Sequence, residues 1–171
     1  MDDFDFIAIG DITTDAFIQL RDASVEDGID GRKKLCVTFG DKIQYENVTV
    51  VPAVGNSANA AVAAARLSLK SGLVTNVGSD LHGKEDLESL EKNGVATNFV
   101  KINEGKLSNY HYVLRFGAER TILIKHEAYD YTMPDIGSPK WIYLSSLGEN
   151  SLPFHHALAK YLTERPEIKL A

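Results

Sequence analysis

One pattern constrains this chain more than any other. Phe4–Ile9 is a short apolar run closed by Gly10-Asp11, and Leu73–Val77 is a second such run following Gly72. Apolar runs of that length bounded by glycine read as buried strands. Between them lies Asn56–Leu69, dominated by alanine, which loses no side-chain entropy on entering a helix. Strand, helix and strand in that order form a crossover, and a crossover joins parallel strands. The chain is therefore predicted to be built on a parallel α/β sheet with helices packed on its faces.

The rhythm continues downstream. Leu81–Asn93 carries Leu87 and Leu90 at helical spacing and ends at Gly94. Ala96–Ile102 and Trp141–Ser146 read as strands, Leu152–Thr163 as a helix opening with Ser151 and Pro153, and Glu167–Ala171 as the start of another strand left open at Ala171. Two excursions interrupt the rhythm. In the first, charge-rich Arg21–Lys34 reads as a solvated loop, and Leu35–Phe39 and Asn47–Val51 read as strands of a hairpin around Gly40-Asp41-Lys42. In the second, Ser108–Phe116 and Thr121–His126 flank Gly117–Arg120 as another hairpin. The expected organisation is an α/β core of residues 1–19, 53–101 and 128–171, with residues 20–52 and 102–127 forming a small antiparallel sheet.

Composition narrows the function. The 171 residues are 44% hydrophobic and 25% charged, an ordinary globular balance, with a formal charge of −6. An acidic chain does not suit a nucleic-acid module or a polybasic membrane binder, since either needs a cationic face. The single cysteine, Cys36, permits no internal disulfide and no thiolate metal pair, which fits a reducing, cytoplasmic setting. The acidic start, Met1-Asp2-Asp3, is unlike a basic secretory leader, and no apolar run nears the roughly 20 residues of a membrane span. The histidines at 82, 111, 126, 155 and 156 form no helical i, i+4 pair, so a metal site is not expected. Trp141 and Cys36 read as packed apolar residues.

Sites in open parallel sheets lie beyond the carboxyl ends of the strands, here Gly10–Asp15, Gly78–Asp80 and Ser145–Glu149. Asp11 and Asp15 follow the first strand. Either they cap a turn, or they accept hydrogen bonds from vicinal hydroxyls, which an ionised carboxylate does well. Gly55-Asn56-Ser57-Ala58-Asn59 leads into the alanine-rich helix, as a plain N-cap or as a loop whose backbone approaches a ligand. It is neither a phosphate loop nor a dinucleotide fingerprint. Arg120, at a hairpin tip, reads as a solvated charge.

Taken together, these segments carry a resemblance. Ile7–Asp15, Gly55–Asn59 with its helix, Val77-Gly-Ser-Asp-Leu-His-Gly83, Gly117–Ile124 and Trp141–Ser146 follow one another as in the N-terminal part of the ribokinase-like (PfkB) carbohydrate and nucleoside kinases. Asn59, Ala61, Ser68 and Gly78 fit the spacing of that family's N-terminal signature. The resemblance implies an ATP- and Mg2+-dependent transfer to a hydroxymethyl group of a sugar or nucleoside. It implies that Asp15 holds substrate hydroxyls, that Gly55 and Asn59 belong to the substrate loop, that Thr13 and Asn56 are further substrate-binding residues, and that the two excursions form a β lid. In some members the lid pairs two subunits, so a homodimer is an expectation.

The chain departs from the family in instructive ways. Val54-Gly55 stands where a Gly-Gly pair commonly flexes, Ser57 where the signature has Gly, Ala or Pro, and Thr13 where ribokinase has Asn. No acidic residue near Leu147-Gly148 matches a ribose ligand. The Gly-Ala-Gly-Asp motif that supplies the family's catalytic base and anion hole does not occur. No catalytic residue or nucleotide site is therefore assigned in this chain, which is expected to be inactive alone and, with its last strand open, prone to self-association. The leading expectation is the substrate-side half of a sugar or nucleoside kinase. The alternative is a non-catalytic ligand-binding or assembly module.

Overall fold

The computed structural model describes residues 4–171; the acidic start lies outside them. The chain divides into two compact units. The first comprises residues up to Thr14, Pro52–Asn109 and His126–Ala171; the second comprises Asp15–Val51 and Tyr110–Lys125.

The first unit holds a five-stranded sheet. Its strands are β1 (Phe6–Ile9), β6 (Ser71–Gly78), β7 (Val100–Asn103), β10 (Trp141–Leu144) and β11 (Lys169–Leu170), in the order β11-β10-β1-β6-β7. All four neighbouring pairs are parallel, as the crossover pattern requires. Three helices accompany it: α1 (Asn56–Arg66), α2 (Leu81–Lys92) and α3 (Leu152–Thr163). Strand alternation sorts the core into two clusters. Ile7, Ile9, Val74 and Ile142 pack with Phe154 and Leu158 of α3, while Ala8, Leu73 and Val77 pack with Ala58 and Ala61 of α1 and Leu90 of α2. Ala8 against an alanine helix lets α1 approach the sheet closely, which brings its N-terminus to the end of β1.

The second unit contains the four-stranded order β5-β2-β8-β9, made of β2 (Thr13–Leu20), β5 (Tyr45–Val54), β8 (Tyr110–Phe116) and β9 (Glu119–Leu123), some of whose end residues fall in the first unit. A separate antiparallel ribbon pairs β3 (Ser24–Asp27) with β4 (Lys33–Cys36). The β8–β9 turn is the expected one. Gly117, at φ 61°, takes the first central position of a two-residue turn, and Arg115 lies opposite Arg120.

Three readings are corrected. The hairpin expected between Leu35–Phe39 and Asn47–Val51 does not form. The tight turn is earlier, at Gly28–Arg32, where the Gly28 N–H donates to the Arg32 carbonyl at 2.8 Å and Arg32 pairs with Asp30 at 2.7 Å. Asp27 lies opposite Lys33 and Glu26 opposite Lys34, an arrangement of unlike charges that suits the pairing, so part of the expected loop Arg21–Lys34 is strand. Thr13–Leu20, which begins within the Gly10–Asp15 segment expected beyond the first strand, is the eight-residue strand β2. Trp141 is 43% exposed rather than packed away, with the Lys169 ammonium 5.0 Å from its ring centre. Elsewhere the differences are in the bounds: Ala96–Ile102 is a strand only from Val100, with an isolated bridge from Ala96 to Gly72.

Candidate functional site

In the first unit the chain leaves β1 through a crowded turn. A Cβ on Gly10 would lie 2.9 Å from Ser145 Cβ and 3.0 Å from Ser57 Cβ, so only glycine fits there. The fully buried Ser57 hydroxyl donates to the Gly10 carbonyl at 3.1 Å and the Asp11 carbonyl at 3.2 Å, tying the start of α1 to this turn. That answers the departure at Ser57: the hydroxyl is structural. Ser57→Ala is expected to cost about 1–2 kcal/mol, because it strips buried carbonyls of a donor; a urea melt checks it.

Asp11 faces Tyr131 and Gly148. Its Oδ2 accepts the Tyr131 hydroxyl at 2.7 Å and the Gly148 N–H at 2.8 Å, while Oδ1 is buried without a hydrogen-bond partner. Burial raises its carboxyl above the ordinary value against those two bonds. Gly148 is thus bound to a carboxylate 137 residues earlier in the chain.

Gly55 caps α1 at φ 114°, and a Cβ there would approach the Asp11 carbonyl at 3.2 Å. No side chain caps this helix start, so its first N–H groups stay available. Asn56 and Asn59 are both exposed, and at i, i+3 they share one side of the first turn. Thr13 is buried, and its hydroxyl bonds the neighbouring Thr14 carbonyl at 3.1 Å.

Asp15 belongs to the second unit. His111 Nδ1 lies 3.5 Å from its Oδ1, an atom buried without a hydrogen-bond partner. Burial raises its carboxyl, opposed by the charges of His111 and Arg120. Arg120 is exposed beside the β8–β9 turn, as expected, and acts on Asp15 through its charge alone. Asp11 and Asp15 sit in different units with separate partners.

The Val77–Gly83 motif proves to be architecture. Asp80 caps α2 through the Gly83 N–H at 3.0 Å and accepts the Ser108 hydroxyl at 2.7 Å and N–H at 3.1 Å. Burial works to raise the Asp80 carboxyl, but these bonds outweigh it and hold it low. Sequence reading missed Asp86 on α2. Its carboxylate accepts the Thr14 hydroxyl at 2.8 Å and the Ala53 N–H at 2.6 Å. An acid between Gly83 and Leu90 on the inward stripe of a helix was the available signal.

Among the described residues, no group of three His, Cys, Asp or Glu side chains is placed to hold a metal, and no helix is long and apolar enough to cross a membrane.

The fold is the one shared by ribokinase-like proteins. Ribokinase from Cryptococcus neoformans in complex with ADP superposes with a TM-score of 0.66 at 24% identity, covering 96% of this chain and 47% of that one. Halothermothrix orenii fructokinase gives 0.68 at 20%, over 96% and 55%. Arabidopsis thaliana ribokinase complexed with ribose and ATP gives 0.64 at 19%, over 84% and 45%. Residues 29–165 match the pfkB family carbohydrate kinase pattern, and the chain belongs to that family. Ribokinase from Bacillus subtilis is 33% identical over 94 residues, 54% of this chain. The chain spans 32% of that relative and about half of the solved structures.

Proposed function

We propose that this chain is the substrate-binding half of an ATP-dependent kinase that phosphorylates a hydroxymethyl group of a sugar or nucleoside. The family match over residues 29–165 carries the reading. The arrangement at Asp15 supports it: a partly buried carboxylate with an oxygen lacking a hydrogen-bond partner is suited to accept substrate hydroxyls. The Gly55–Asn59 helix start, uncapped and carrying two exposed amides, would supply polar contacts of its own. The second unit would act as the β lid, excluding water that could otherwise accept the phosphoryl group. Exposed Val48, Val50 and Tyr112 on its strands suit pairing with a second copy. ATP and Mg2+ are part of this proposal, as is a cytoplasmic setting. Residues of this chain are not assigned to the nucleotide or the metal, because the Gly-Ala-Gly-Asp segment is not among them.

The test is phosphoryl transfer from ATP to a panel of ribose, fructose and adenosine, by this chain and by the reading frame extended downstream. Turnover is expected only in the extended protein. An extension that lacks a Gly-Ala-Gly-Asp motif and turns over nothing would sink the kinase reading.

A further inference from the structure

Asp86 is 1% exposed, and no substrate contact is proposed for it. One of its oxygens serves two segments at once. Oδ1 accepts the Ala53 N–H from the end of β5 and the Thr14 hydroxyl from the start of β2, while Oδ2 is buried with no hydrogen-bond partner. Ala53 is one of two non-glycine residues with positive φ among the described residues, at 52°. An L-residue in that region is strained and persists only where its surroundings hold it. The short Asp86 bond to its N–H is such a hold. Ala53 is also the last residue but one before Gly55, where the proposed substrate loop begins, and Thr14 immediately precedes Asp15.

We propose that Asp86 is a positioning residue for substrate binding, a latch that keeps Ala53 left-handed and ties the Gly55–Asn59 loop to the start of the strand bearing Asp15. The inference rests on the functional reading above. Immediately before Val54-Gly55, this chain has a strained alanine held by a carboxylate. The flexing point is then Ala53, and what controls it is Asp86.

The latch is sensitive to protons. Burial lifts the Asp86 carboxyl from 3.8 to about 6, against the bonds from Ala53 and Thr14; His82 lowers it and Asp80 raises it, both near the start of α2. The groups facing it from β2 and β5 are the Thr14 hydroxyl and the Ala53 amide, neither of which titrates in this range. Because the folded value exceeds the unfolded one, the folded state holds the proton more tightly between about pH 4 and 6. The contribution to stability is therefore greatest below pH 4 and falls about 100-fold in the folding constant as pH rises through 6. The bonds run the other way, since an ionised carboxylate accepts more strongly. Above pH 6 the latch is tight and the fold bears a buried charge.

Amide NMR and calorimetry on this chain test the proposal, with ribose, fructose and adenosine as probes. The Ala53 amide proton is expected to shift with a midpoint near pH 6 in wild type and to stay flat in Asp86→Asn, which keeps an acceptor oxygen. For a probe that binds wild type, Asp86→Asn should bind within about threefold at pH 7.5 and Asp86→Leu at least 10-fold more weakly. Wild-type affinity should also drop through pH 6 more steeply than that of Asp86→Asn. An Ala53 amide indifferent to pH between 5 and 7 overturns the latch. So does an Asp86→Leu variant that folds and binds as wild type. If Asp86→Leu does not fold, the comparison of wild type with Asp86→Asn decides: identical pH profiles overturn the proposal, and a flattened one supports it. If no probe binds wild type, the functional reading fails, and the latch stands or falls on the Ala53 titration alone.

Discussion

Gly78→Ala is expected to lower the stability of the first unit by about 3 kcal/mol or more, enough to abolish a cooperative melt in a marginal domain. Gly78 ends the fully buried β6, and a Cβ there would run into the backbone of Lys106 and Leu107. That backbone cannot yield cheaply. The Gly78 N–H is bound to the Ser108 hydroxyl at 3.0 Å, and Ser108 is in turn held by Asp80, the cap of α2. Pushing the 106–108 turn outward therefore disturbs the strand end, the helix start and the cap together. Gly40→Ala is the control: with φ 76° and nothing within 4 Å of its added Cβ, it should cost only about 1 kcal/mol of backbone strain. Urea denaturation followed by circular dichroism measures both. A Gly78→Ala loss no larger than that of Gly40→Ala would mean that the turn gives way freely.

Asp15→Ala is expected to weaken sugar or nucleoside binding by at least 100-fold while leaving the fold intact. Hydrogen bonds to an ionised carboxylate contribute about 1.5–3 kcal/mol each, and the proposed role has Asp15 accepting two. Asp15→Asn should fall between the two, because it keeps an acceptor but not the charge. Burial raises the carboxyl of Asp15 against His111 and Arg120, so binding should fade, as pH drops, at a higher pH than for an ordinary aspartate. Arg120→Ala removes one of the opposing charges and should move that midpoint higher still. Calorimetry with whichever probe binds wild type gives these values. Unchanged affinity in Asp15→Ala would remove the carboxylate from the site.

Much of the core was readable because its signals are local. The alanine-rich α1, the Gly94 stop after α2 and the opening of α3 at Ser151-Leu152-Pro153 follow from propensity and capping, which act over a few residues. Thr13–Leu20 was harder. Its Asp15 and Gln19 break the apolar pattern, and only three residues separate it from β1, which leaves little sign of a new strand. The first excursion failed on a competition between two plausible turns, Gly28–Arg32 and Gly40–Lys42. The chain takes the earlier one, which places Asp27 opposite Lys33 and Glu26 opposite Lys34.

The order of motifs was sufficient to indicate the family and the parallel sheet, because crossover chirality and strand burial leave few arrangements for strand, alanine helix and strand. It also leads to the proposal of Gly55, Asn59 and Asp15 as substrate contacts. What it could not assign were the partners. Asp11 meets Tyr131 and Gly148 from more than a hundred residues away, and Asp86 meets Thr14 and Ala53 from 72 and 33 residues away. Those bonds depend on how separate strands and helices are brought together, and so does the strained conformation of Ala53. Local propensity sees one segment at a time, and only the folded chain places a buried carboxylate oxygen against two others.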